Sequence, residues 1–132
     1  MSQEDVEILR AAFAAWNAGD MEAVFAHFHP ELVYHPRADE PDPSPHVGRN
    51  AYERLVYGFV ESFSEVTFEV LELIDAGDRV VALIREREIG RTSGAPVDAR
   101  HVAVWTLADG KVVRMQIFDN REQALKAVGL AE

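Results

Sequence analysis

The chain has 132 residues, 48% of them hydrophobic, with no cysteine and a formal charge of −10. That length suffices for a single domain (1–132) with its own core, and the lack of cysteine excludes a disulfide framework, a thiolate metal site and a cysteine nucleophile. The acid excess, with arginines scattered among acids, argues against nucleic acid and anionic membrane surfaces as partners, and no stretch is apolar enough to span a bilayer.

The N-terminus, Met1 to Asp5, is acidic where a signal peptide would be basic; with the cysteine-free composition this makes the expected compartment cytoplasmic. Val6, Leu9, Phe13 and Trp16 recur at helical spacing and predict a first helix. Gly19 ends it, and Asp20 is placed to cap a second helix carrying Met21, Val24, Phe25 and Phe28. Leu32, Val33 and Tyr34 read as a short strand, and the Pro- and Asp-rich segment Pro36–Gly48, with Asp39, Glu40 and Asp42, as a surface loop. A third helix is expected over Asn50–Phe63. The period then changes to two: Val66, Phe68 and Val70 alternate with Glu65, Thr67 and Glu69. Further strands are expected over Arg79–Ile89, Val97–Leu107 and Val112–Phe118, the last two joined by the hairpin signal Asp109-Gly110. Arg121–Val128 reads as a closing helix. Helices first and then a meander of long antiparallel strands means an α+β fold rather than α/β.

The segment Ala14-Ala15-Trp16-Asn17-Ala18-Gly19-Asp20, then a short strand, a loop, Gly48-Arg49 and a helix, forms one part of a wider pattern. Asp109-Gly110-Lys111-Val112-Val113 and the tail Ala124-Leu125-Lys126-Ala127-Val128-Gly129-Leu130 complete it. Over essentially the whole chain this resembles the SnoaL-like branch of the nuclear transport factor 2-like superfamily. The resemblance implies a cone-shaped, curved antiparallel sheet with a mixed edge, wrapped around the N-terminal helices and enclosing an apolar pocket. It also implies a homodimer through the outer sheet face. The superfamily includes cyclases, isomerases, hydrolases, dehydratases and binding modules, so function has to be argued from the site.

In the register that the resemblance implies, Val113, Met115, Ile117 and Asp119 point inward while Arg114, Gln116 and Phe118 point out. Ala99, His101, Ala103 and Trp105 point inward from the preceding strand, and Ala12 and Trp16 face the pocket from the first helix. His35 matches the position where relatives place a catalytic Asp or Asn. An imidazole titrates near neutrality, which makes His35 the leading general acid or base; the competing reading is a rim histidine bonded to a loop carbonyl beside Pro36. Asp119 is the second candidate, as an acid whose pKa rises in an apolar pocket. It competes with a role as helix cap, and a slip of one residue would put Asn120 inside instead. His101 is the third, although a satisfied core histidine is the commoner outcome at such a position.

Two histidines and an acid match a metal-ligand inventory but lack the spacing of a metal motif, so no metal is expected. Trp16, Phe59, Phe63, Trp105 and Met115, with Ala12, Ala103 and Ile117, would form a wall for a small hydrophobic or aromatic molecule. No phosphate loop or dinucleotide fingerprint is present, and no cofactor is expected. The resemblance also narrows the chemistry. Ala12 and Ala103 stand where steroid isomerases carry their oxyanion-hole donors. Ile117 replaces one acid of the Asp–Arg–Asp set of epoxide hydrolases, and Arg100 points outward. What remains is acid–base chemistry of the cyclase, isomerase or hydratase type on a small hydrophobic carbonyl compound, or a non-catalytic carrier of an apolar ligand.

Overall fold

A computed structural model describes residues 2–37, 40 and 42–130, so Asp39 of the predicted loop lies outside the described residues. The elements run α1 (Ser2–Asn17), α2 (Met21–Phe25), β1 (Phe28–His35), β2 (His46–Val47), α3 (Arg49–Glu61), β3 (Phe63–Asp75), β4 (Arg79–Gly90), β5 (Pro96–Ala108), β6 (Lys111–Phe118) and α4 (Arg121–Ala127). Six strands form one sheet in the order β2-β1-β6-β5-β4-β3, antiparallel except for the parallel pair β1–β6. The fold is α+β, with a curved, unclosed sheet. Among the described residues no helix is long and apolar enough to cross a membrane.

Local chemistry sets most boundaries. The Asp20 carboxylate accepts a hydrogen bond from the Ala23 amide at 3.1 Å and caps α2. Asp109 and Gly110 take φ of 51° and 77°, the left-handed pair of a type I′ hairpin. Gly48, at φ 94°, turns the chain into α3 while its amide donates to the Leu32 carbonyl at 2.7 Å. Arg49 then ties that helix start to β1 through the Phe28 carbonyl at 3.3 Å.

Three expectations shift. α2 stops at Phe25 because Phe28 pairs with Val112 and belongs to β1. Pro30 is tolerated within β1 because the β1–β6 ladder is interrupted between Phe28 and Val33. α3 ends at Glu61 rather than Phe63, since Arg91 donates to the Glu61 and Phe63 carbonyls, each at 2.9 Å, and draws Phe63 into β3. The closing helix is capped by Asn120, whose Oδ1 accepts from the Gln123 amide at 2.9 Å, and not by Asp119.

The two sheet faces differ. The inner face packs Val80, Ala82, Ile84, Ala103 and Trp105 against Leu9 of α1 and Val56 of α3. The outer face carries Val81, Val102 and Val104 under Ala124 and Val128, so α4 covers part of the face through which dimerisation was expected. Elsewhere that face is charged: Arg85 bonds Asp98 at 2.6 Å and Arg87 bonds Glu69 at 3.1 Å. Between Val70 and Glu72 the β3–β4 register shifts, leaving Leu71 exposed. As a result Val70 and Leu73 both face the core, which strict alternation would forbid.

Candidate functional site

Inner-face residues of β4, β5 and β6 meet α1 and α3 around a cavity of about 340 Å³. Ala12, Phe13 and Trp16 come from α1, Tyr52 and Phe59 from α3, and Met115 and Ile117 from β6. Much of the wall is aromatic. Phe13 meets Trp105 edge-on at 5.6 Å between ring centroids, Trp16 lies 4.7 Å from Phe68, and Tyr34 lies 5.2 Å from Tyr52.

One part of the wall is polar. Ile84 stands opposite His101, and Glu86 opposite Ala99, so Glu86 and His101 are diagonal neighbours across the β4–β5 pair. Glu86 Oε1 lies 3.7 Å from His101 Nδ1, a gap longer than a hydrogen bond that substrate binding closes in many acid–base sites. Glu88 lies two residues along the same face and is buried. Burial first, and then the proximity and charge of Glu88, push the Glu86 carboxyl up to about 8, against the opposing pull of His101 and Arg37. Burial likewise holds His101 below the ordinary imidazole value; the Glu86 charge opposes this and the Arg37 charge adds to it. At neutral pH the site therefore pairs a neutral imidazole with a protonated carboxyl. One group can accept a proton and the other can give one.

A second polar group adjoins it. The Tyr34 hydroxyl lies 3.4 Å from Glu40 Oε2, which also accepts from the Arg37 amide at 2.7 Å. Burial, followed by the Glu40 charge, raises the pKa of both Tyr34 and Tyr52, so both remain phenols.

The sequence profile of the SnoaL-like domain matches residues 9–115. The chain belongs to the SnoaL-like family. No curated protein matches it. Among solved structures, an NTF2-like protein of unknown function from Burkholderia pseudomallei aligns with a TM-score of 0.78 at 16% identity, covering 95% of this chain and 97% of that one. A putative SnoaL-like polyketide cyclase from Jannaschia sp. CCS1 gives 0.77 at 22% identity, covering 98% and 94%. TerC, co-crystallised with polyporic acid, gives 0.77 at 19%, covering 96% and 98%. At such identities the likeness speaks for the fold.

In this SnoaL-like chain Ala12, Trp16, Phe59, His101, Trp105, Met115 and Ile117 line the cavity. Ala103 is on the inner face but buried in the core, and Phe63 meets the Phe59 ring at a tilt, 5.0 Å between centroids, without reaching the wall. His35 lies on the other face. β1 pairs with β6 as Val33↔Arg114, Tyr34↔Met115 and His35↔Gln116, so Tyr34 shares the cavity side with Met115 while His35 sits beside Arg114. Burial, then the Arg114 charge, lowers the His35 pKa. Asp119 is exposed beyond the end of β6, 4.0 Å from Arg37 Nε. His35, His101 and Asp119 are thus not brought together.

Sequence reasoning missed Tyr34, Arg37, Glu40, Tyr52, Glu86 and Glu88. For the last two a signal existed. Val80, Ala82 and Ile84 set the inward parity of β4, and Glu86 and Glu88 continue it, placing two acids where apolar residues belong.

Proposed function

We propose that this SnoaL-like chain is an enzyme that moves a proton on a small hydrophobic carbonyl compound, with His101 as base and Glu86 as acid. The observation that carries this reading is the 3.7 Å approach of His101 Nδ1 to Glu86 Oε1 in the wall of a largely aromatic cavity. His101 takes a proton from the carbon next to the carbonyl while Glu86 gives its proton to the carbonyl oxygen. A neutral enol forms, and the imidazolium and carboxylate left behind stabilise each other at close range. Where the substrate carries a C=C bond beyond the deprotonated carbon the enol is a dienol; return of the His101 proton to its γ carbon, and of the enol proton to Glu86, yields the conjugated isomer and resets both groups.

At about 340 Å³ the cavity is at the lower end of the roughly 300–1,000 Å³ range of ligand pockets, which suits one or two rings. TerC, of the same fold, was co-crystallised with polyporic acid. The aromatic wall also favours a second reading, a carrier that binds such a compound without turning it over.

Hydrogen–deuterium exchange next to the carbonyl separates the two readings, followed by NMR on a panel of enolisable one- and two-ring ketones that includes 2-tetralone. Catalysed exchange is expected, falling by at least ~100-fold in His101→Ala and in Glu86→Gln. Binding with exchange no faster than in buffer sinks the enzyme and leaves the carrier.

A further inference from the structure

The cavity is polar at one end and carbon at the other. Across the sheet Trp105 pairs with Val80 and Met115, and Met115 with Tyr34. His101 stands four residues from Trp105 along β5, roughly 13 Å away, and Glu86 lies one step further out, opposite Ala99. That end is open: the side chains of His101, Glu86 and Arg37 are 15%, 20% and 34% exposed. The Trp105 end is closed, with Trp105 4% exposed and Phe28 2%.

The closed end presents carbon. Phe13 and Phe28 stand against Trp105 at 5.6 and 6.0 Å between ring centroids, and Phe28 lies 5.3 Å from Tyr52. Of Phe13, Phe28, Trp105 and Met115 only Trp105 carries an N–H, and that nitrogen is itself buried. Tyr34 and Tyr52 add their rings, but the Tyr34 hydroxyl lies 3.4 Å from Glu40 Oε2 and the Glu40 charge acts on both phenols. Trp16 packs on Phe68, whose ring meets His101 edge-on at 6.3 Å, so it belongs to the open end.

We infer that the ligand lies with its carbonyl toward Glu86 and His101 and its other end against Phe28, Trp105 and Met115, so that the site selects carbonyl compounds whose far end is bare hydrocarbon. This rests on the reading of the cavity as the substrate site and adds which half of the substrate must be apolar. Phe28, Trp105 and Met115 are then specificity-determining residues, away from the reacting atoms. A hydroxyl carried to the closed end loses its water and meets no side-chain partner, which costs affinity. A methyl group of nearly the same size gains from burial there. At the open end the same hydroxyl keeps its contact with water and polar side chains.

Calorimetric titration of the unaltered protein with two pairs of 2-tetralones tests this. Carbon 6 of a 2-tetralone is on the side away from the carbonyl, and carbon 8 is on the carbonyl side. The 6-methyl compound is expected to bind about tenfold more tightly than the 6-hydroxy compound. For the 8-methyl and 8-hydroxy pair the gap is expected to shrink to about threefold or less, because the open end can bond the hydroxyl. Equal affinities within the 6-substituted pair overturn the inference and leave the cavity reading standing. An equal gap at both positions also overturns it, since the preference for methyl would then be general and the ligand would have no fixed direction. If none of the four compounds binds, the cavity reading falls and the inference with it.

Discussion

Asn17, the last residue of α1, and Phe68, in the middle of β3, are joined by two hydrogen bonds. The Asn17 carboxamide donates to the Phe68 carbonyl at 2.8 Å and accepts from the Phe68 amide at 3.1 Å. β3 is an edge strand, whose outward peptide groups have no strand to pair with. Asn17 stands in for that missing strand at one residue and fixes the end of α1, so Phe13 and Trp16 are held against the cavity. Asn17→Ala removes both bonds and is expected to cost about 1–3 kcal/mol of stability. Asn17→Asp keeps the acceptor but turns an oxygen toward the Phe68 carbonyl, and is expected to cost at least as much. Urea unfolding measures both; unchanged midpoints would mean that α1 is held by its apolar face alone.

Tyr34 and His35 divide the two faces of β1, and the division predicts kinetics. In the exchange assay His35→Ala is expected to stay within about twofold of the unaltered rate, as for a substitution away from the site. His101→Ala loses at least ~100-fold in the same assay. Equal losses in the two variants would return His35 to the chemistry and refute the assignment to His101.

The Glu86 carboxyl predicts how stability follows pH. Unfolded, it titrates near 4.5, and folded at about 8. Between those values the folded state holds a proton that the unfolded chain lacks, so stability falls as pH rises. His101 and His35 act oppositely, because their folded values lie below 6.5: their contribution is complete above 6.5 and is lost as pH falls through the folded value. From pH 6.5 to about 8 the Glu86 contribution dominates, with a slope approaching ~1.4 kcal/mol per pH unit, the value for one proton. Glu86→Gln is expected to flatten it. Urea unfolding at several pH values checks this, and a flat profile for the unaltered protein would refute it.

The fold was legible because its signals are local and repeated. Trp16 to Asp20, the Asp109-Gly110 hairpin and the alternation along β3 each dictate backbone geometry within a few residues. The site was legible only in part. Trp16 reaches the cavity from the helical stripe of α1, and His101, Trp105 and Met115 through strand alternation in the register that the resemblance implies; alternation fails wherever the register is set from elsewhere. In the β1–β6 pair the ladder breaks between Phe28 and Val33, and the resumed pairing puts Tyr34 inside and His35 outside. No property of either residue announces that. Arg91 ends α3 from thirty residues away through the Glu61 carbonyl, a contact that periodicity cannot register. In Arg85-Glu86-Arg87-Glu88 every residue is charged, with Arg85 and Arg87 on the outer face, so no apolar residue marks which side of that stretch faces inward.

Glu88 carries the sharpest trade between stability and function. It lies opposite Val66 and Val97, 3% exposed, and its Oε2 is buried without a partner among the described residues. A polar group so placed costs stability; what it supplies is a charge beside Glu86 that keeps the proton there. Glu88→Met, which fills a similar volume, is expected to stabilise the fold by about 1 kcal/mol or more. It should also let the Glu86 pKa fall, so that the basic limb of the pH–rate profile moves to lower pH and activity drops more at pH 8 than at pH 6. Glu88→Gln retains a hydrogen-bonding group, removes the charge and should move the limb less far. Urea unfolding and pH–rate profiles for the two variants test both halves. A Glu88→Met protein that gains stability without moving the profile would mean that Glu88 does not govern the Glu86 proton.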